Sequence, residues 1–181
     1  EIRDLETAET SVQASLTGHL VFSTLHTNSA IDAIPRLLNM GVKNYILAPA
    51  LRAILAQRLV RKICPDCAKA REMSTVEKEE IFEVLKNMKV SPQKAPKVSS
   101  EVMEGKGCDN CSHTGFRGQI SVAEVLLIDS DIENAIYENE PQKTIKELAV
   151  KKGFRPMWEE GILAVVQGKT TLAELQRGVG K

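Results

Sequence analysis

Apolar residues return at three- and four-residue steps through Leu5, Ala8, Val12 and Leu16, which predicts a helix over residues 4–17. Asp4 can cap its start, and Gly18 suits the position just past its end. The period then changes. His19-Leu-Val-Phe-Ser-Thr-Leu25 is short and rich in strand formers, as a buried strand is. Ile31, Ile34 and Leu38 share one face and predict a second helix over residues 29–40, stopped by Gly41. Pro35 conflicts with that span, because an interior proline costs about 3 kcal/mol, unless the regular helix starts later. A wider stripe through Ile46, Leu47, Ala50, Leu51, Ile54 and Leu55 predicts a helix over 44–57, with Pro49 near the regular start. Residues 58–63 read as a strand leading into Cys64.

Further on, Ser74-Thr-Val-Glu77 is a capping box, so a charged helix is expected from there to about Met88. Residues 90–100 are rich in Pro, Lys and Ser, the composition of a loop. Gly115-Phe-Arg-Gly118 reads as a turn and residues 119–128 as a strand, with Val122 and Val125 among its apolar positions. The last fifty or so residues read as helical. Capping boxes at Ser130-Asp-Ile-Glu133, Thr144-Ile-Lys-Glu147 and Thr171-Leu-Ala-Glu174 mark helix starts, with Gly153 and Gly168 as stops. The expected class is therefore α/β. An α/β portion (1–63) is followed by a small insertion (64–111), a returning strand (112–128) and a helical subdomain (129–181).

The composition limits what such a chain can do. Its 181 residues are 43% apolar, so a sizeable core is affordable and a disordered tail is not expected. Lys+Arg and Asp+Glu both number 24, and aromatic residues make up 4%. Nucleic acid as a main partner is thereby disfavoured, since phosphate binding relies on clustered positive charge and base stacking on aromatic rings. Arg58, Arg61 and Lys62 form a short basic stripe of the sort that normally faces solvent. No apolar run approaches the roughly 20 residues that cross a bilayer, and the charged opening Glu1-Ile-Arg-Asp4 is unlike a signal peptide. A cytosolic chain without membrane insertion is the expectation.

All four cysteines fall in two pairs, Cys64-Pro-Asp-Cys67 and Cys108-Asp-Asn-Cys111. A gap of two residues lets both thiolates of a pair face one ion, and two pairs complete a tetrahedral four-sulfur shell. Structural disulfides do not suit a cytosolic chain, and a redox pair would need a single motif in its own fold context. An iron–sulfur cluster would also fit four thiolates, but nothing else in the chain points to electron transfer. Zinc is the expected ion, in a structural role, because four protein ligands leave no position for water. It would clamp an insertion that buries little apolar surface. His113, close to the second pair, reads as a loop residue outside the shell.

Several motifs in one order carry a resemblance. Glu1-Ile-Arg-Asp4, Ala14-Ser-Leu-Thr-Gly-His19, Ser23-Thr-Leu-His-Thr-Asn28, Ala56-Gln-Arg-Leu59 and Thr114-Gly-Phe-Arg-Gly118 after a cysteine pair are similar to those of the traffic ATPases of type II secretion and type IV pilus assembly. The resemblance covers nearly the whole chain and implies the C-terminal half of a RecA-like ATPase domain with a four-cysteine zinc insertion and a helical tail. It implies a homo-hexamer that hydrolyses ATP with Mg²⁺ at the cytoplasmic face of the inner membrane, working with an inner-membrane platform protein. Glu1 resembles the acidic residue of the family's Walker B segment, and His26 its histidine-box residue. Arg3 and Arg58 are then candidates for the nucleotide phosphates, or for ion pairs across a subunit boundary. His19 fits a structural role at a strand start.

No stretch of the chain matches G-x-x-x-x-G-K-[ST], the loop whose amides and lysine cradle phosphates. The resemblance places that loop upstream, so this segment alone is expected to be inactive. Gln119 also departs from the arginine usual in the family after the preceding glycine. A different class of function stays open from the residues alone: a non-enzymatic, zinc-stapled module that docks another protein.

Overall fold

The computed structural model describes residues 1–88 and 99–180; most of the loop expected over 90–100 lies outside them. Packing divides the chain into two compact units, residues 1–56 with 124–154, and residues 57–123 with 155–181. The sequence grouped residues 129–181 by their common helical character. In the packing, the helices before Phe154 belong to the first unit and those after it to the second.

The first unit contains helices α1 (Leu5–Leu16), α2 (Ala33–Asn39), α3 (Asn44–Ala50), α5 (Ser130–Tyr137) and α6 (Gln142–Lys151). Asp4 caps α1: its Oδ1 accepts the Thr7 N–H at 2.9 Å, and Gly18 follows the helix with φ 93°. The spacing of Ala8 and Val12 puts both into a core shared with Ile34, Leu47, Leu126 and Ile136. Helix α3 packs on both α1 and α5. Helix α2 starts at Ala33, later than the apolar stripe suggests. Pro35 therefore sits in the first turn, where its missing N–H would have had no helical partner.

Two expectations in this unit are corrected. Residues 19–25 form no hydrogen-bonded strand. Ile2 N–H does donate to Thr24 O (2.8 Å), but Leu20 and Phe22 are 82% and 87% exposed. Strand formers stabilise a strand only with a neighbour's backbone and a face to bury against. Nor does the helix expected over 44–57 reach that far; it ends at Ala50, just after its interior Pro49. From Ala53 the chain is extended, because a partner strand takes up its backbone groups.

That strand, β1 (Ala53–Ile63), pairs with β4 (Phe116–Leu127), and Ile128 N–H donates to Arg52 O at 2.9 Å. β4 begins before residue 119 and absorbs the expected turn; Gly115 and Gly118 have φ of 77° and 78°.

The second unit holds β2 (Ala68–Glu72) and β3 (Glu101–Gly105), antiparallel with Ala68 opposite Gly105 and Glu72 opposite Glu101. Periodicity did not reveal this pair, since Ala-Lys-Ala-Arg-Glu is too short and too polar to read as a strand. Helix α4 (Thr75–Asn87) starts at Ser74 with both bonds of the capping box. Helices α7 (Met157–Val166) and α8 (Leu172–Val179) pack together, and α7 also meets α4 and β3. Ile81, Ile162, Val165 and Leu175 are buried there.

Three helix starts differ in detail from the capping boxes. Asp129, not Ser130, caps α5, accepting from the N–H groups of Asp131 and Ile132. Helix α6 begins after Pro141, so Thr144 lies inside it. Thr171 does cap α8, but the Glu174 carboxylate points away to two arginines instead of closing the box. Among the described residues no helix is long and apolar enough to cross a membrane.

Candidate functional site

The Glu1 carboxylate is where the first unit gathers its candidate chemistry. Oε1 lies 2.9 Å from His26 Nε2, and Oε2 accepts from Arg3 at 2.5 Å. The Ile2–Thr24 backbone bond sets this meeting, because it lays the opening residues beside the segment that ends in His26. The bond from Arg3 lowers the Glu1 pKa; burial opposes it, and the charges of Arg3 and His26 add to it. Glu1 is thus held as a carboxylate with one oxygen on each cationic or potentially cationic partner. The His26 side chain is 91% exposed, so its ring is open to a ligand.

Arg58, the other phosphate candidate, is an exposed residue of β1 in the second unit. His19 turns inward on its own segment, with Nδ1 3.1 Å from Thr17 Oγ1 and 3.3 Å from Ala14 O. A residue that sequence reading passed over is Glu124. It is 4% exposed on β4, and its Oε1 accepts the Ala30 N–H at 2.5 Å. The available signal was a lone carboxylate inside the apolar run Val122-Ala-Glu-Val-Leu126.

In the second unit the four cysteines converge, with all Sγ atoms within 4.8 Å of one another. Cys64–Cys108 and Cys67–Cys111 are 3.9 Å apart, and Cys108–Cys111 3.8 Å. A tetrahedron with zinc–sulfur bonds of about 2.3 Å has edges of about 3.8 Å. These three edges have that length, and the four-thiol donor set fits zinc. Backbone amides complete the cradle: Gly107 N–H points to the Cys67 sulfur, and those of Cys108 and Gly115 to the Cys111 sulfur, at 3.2–3.3 Å.

The two knuckles close on each other because the backbone comes very near at Gly105 and Gly115. A Cβ on Gly115 would stand 2.4 Å from Gly105 O, and one on Gly105 would stand 2.0 Å from Gly115 O. Asp66 Oδ2 links the pairs from outside, accepting from Asn110 and Arg117 at 3.0 Å each. Burial works to raise the Cys111 thiol, yet the amides of Cys108 and Gly115 and the nearby thiols bring it down to about 6. Burial and its three thiol neighbours push Cys108 up to about 12. A divalent ion would take the place of those shared protons. His113 stays outside the shell, paired with Asp109 at 3.1 Å.

The sequence has counterparts among known proteins. The family model described as "Type II/IV secretion system protein" matches residues 1–177. The chain belongs to that family. It is 41% identical over 177 residues to the type II secretion system protein E of Aeromonas hydrophila, covering 98% of this chain and 33% of that protein. It is 40% identical over 175 residues to the type IV pilus assembly ATPase PilB of Thermus thermophilus, covering 97% of this chain and 19% of that one. The chain thus spans a third or less of the length of these secretion-family relatives. In fold it resembles the Legionella pneumophila ATPase DotB, with a TM-score of 0.61 at 17% identity over 98% of this chain and 36% of the other.

Proposed function

We propose that this chain is part of a longer ATP-hydrolysing motor of type II secretion or type IV pilus assembly. In this reading it supplies one side of a nucleotide site on a RecA-like domain. The Glu1–His26 contact carries the reading, supported by relatives named as secretion and pilus ATPases. Glu1 acts on the Mg²⁺ shell or on the attacking water, while exposed His26 reaches the γ-phosphate and registers its loss. Arg3 keeps Glu1 ionised and offset from the phosphates, and Arg58 offers positive charge to a phosphate or to a neighbouring subunit.

The phosphate-cradling loop comes from a part of the parent protein that this chain does not include. The four cysteines hold zinc as a structural clamp, with no position left for catalysis. The motor works as a homo-hexamer on a platform protein at the cytoplasmic face of the inner membrane.

The experiment is Mg²⁺-dependent phosphate release by the full-length protein. Glu1→Gln should abolish turnover while leaving the melting temperature near that of the wild type. Wild-type turnover in the variant would overturn the assignment.

A further inference from the structure

Glu124 is a carboxylate held almost entirely away from water. It is 4% exposed on β4, between Val122 and Leu126, which are themselves buried. Such a group is costly unless donors meet it, since a buried carboxyl group gives up its hydration. Its Oε1 accepts the N–H of Ala30, 94 residues away in sequence, at 2.5 Å. Ala30 is itself fully buried.

Ala30 belongs to the segment that links His26 to α2. Thr27 Oγ1 donates to Ser29 O at 3.0 Å, and Ser29 Oγ accepts from Asp32 N–H at 3.2 Å, both local contacts. Asp32 forms no capping bond to α2; its Oδ1 is engaged by Gln142 Nε2 at 2.6 Å. Beyond these local turns, burial of Ala30 and Ile31 in the core and the Asp32–Gln142 bond help to hold the segment. The bond to Glu124 ties its Ala30 amide to β4, a paired strand whose residue Leu126 lies in the same core. His26 thus sits between two anchors: Thr24 O, bonded to Ile2 on one side, and Ala30 N–H, bonded to Glu124 on the other.

We propose that Glu124 is a positioning residue: by holding Ala30 it fixes the segment that presents His26 to Glu1 and to a bound nucleotide. The proposal rests on the motor reading. It assigns a buried carboxylate on β4 a part in turnover without contact to the reacting atoms.

The test uses the full-length protein and first establishes that the wild type hydrolyses ATP and that Glu1→Gln does not; failure there removes the motor reading and not the anchor. Glu124→Leu, which fills the space without an acceptor, should then lower kcat by about ten- to a hundredfold, with KM for ATP within about twofold, as expected for a misplaced reacting group. Glu124→Gln keeps an acceptor oxygen and should hold kcat within about threefold of the wild type, the value of a weakened hydrogen bond.

The decisive readout is coupling. In a His26→Ala background, Glu124→Leu should cost little further kcat, because the group it positions is already gone. Equal losses of kcat in both backgrounds would overturn the proposal. So would a Glu124→Gln protein as slow as Glu124→Leu, and that result can be read even if the leucine variant does not fold.

Discussion

Arg61 and Glu174, 113 residues apart in sequence, are tied by two bonds: Glu174 Oε1 accepts the Arg61 backbone N–H at 2.9 Å, and Oε2 the guanidinium at 2.6 Å. Arg177 adds two more donors to the same carboxylate, which is 1% exposed and held far below the usual carboxylate pKa. The bond from Arg177 is the largest cause, burial opposes it, and the Arg61 bonds reinforce it. Arg61 meanwhile lies over the Phe116 ring, 4.3 Å from its centroid. One buried carboxylate therefore fastens α8 to β1.

Glu174→Ala is expected to destabilise the chain by about 3 kcal/mol, the low end for breaking a buried pair, because both arginines stay partly hydrated. Chemical denaturation of the 181-residue chain measures this. A loss below about 1 kcal/mol would place the pair with ordinary surface ion pairs.

Metal removal should act on the second unit. Zinc, once bound, replaces thiol protons and clamps residues 64–111, so chelation is expected to raise hydrogen exchange in β2, β3 and the two cysteine knuckles. Helices α1, α3 and α5, packed on their own core, should keep their protection. Equal protection with and without chelator would discard the clamp.

Gly115→Ala tests the same clamp sterically. With φ 77° and a Cβ 2.4 Å from Gly105 O, alanine cannot enter without moving one knuckle from the other. The expected outcome is weaker zinc retention in competition with a colorimetric chelator. Gly153→Ala, also at positive φ but with nothing within 4 Å, should retain zinc as the wild type does.

Glu77 provides a pH signature. Arg71 holds it with two bonds of 2.6 and 2.7 Å, and the Ser74 N–H adds one at 2.9 Å. Against the opposing effect of burial, these bring its pKa from 4.5 to about 2. The unfolded chain takes up that proton first, so the contribution is complete above about pH 4.5 and is lost as pH falls toward about 2. The melting-temperature gap between wild type and Glu77→Gln should close across that window. A gap that stays constant would show that the pair does not contribute through its charge.

Phe22→Ser should leave the stability of the 181-residue chain within about 0.5 kcal/mol, because an exposed side chain forfeits little burial when removed. A loss above about 2 kcal/mol in a melt would mean that Phe22 is covered in solution. That would contradict its 87% exposure.

Legibility followed locality. The Asp4 cap, the Ser74–Glu77 box, and Gly18, Gly153 and Gly168 as helix stops were all readable, because each acts within a turn of its own helix. Residues 44–57 misled because Ile46 through Leu55 satisfies a helical period, while pairing with β4 claims the chain from Ala53. Strands β2 and β3 carry almost no pattern; their backbones meet because each leads to or from a cysteine knuckle. The cysteine cluster was legible from residue type and spacing, whereas Glu1 and His26 stood out only through the family resemblance. Glu124 escaped because its partner is a backbone amide 94 residues away.

By itself, the order of residues determined the helix boundaries set by caps and glycines, the four-thiol donor set, and the family to which the chain belongs. These depend on neighbours in sequence, or on residue identity alone. Tertiary packing decided where β1 begins, which strands pair, that the four Sγ atoms converge within 4.8 Å, and that Glu1 meets His26. Those outcomes turn on contacts between distant segments, where burial and backbone pairing outweigh local preference.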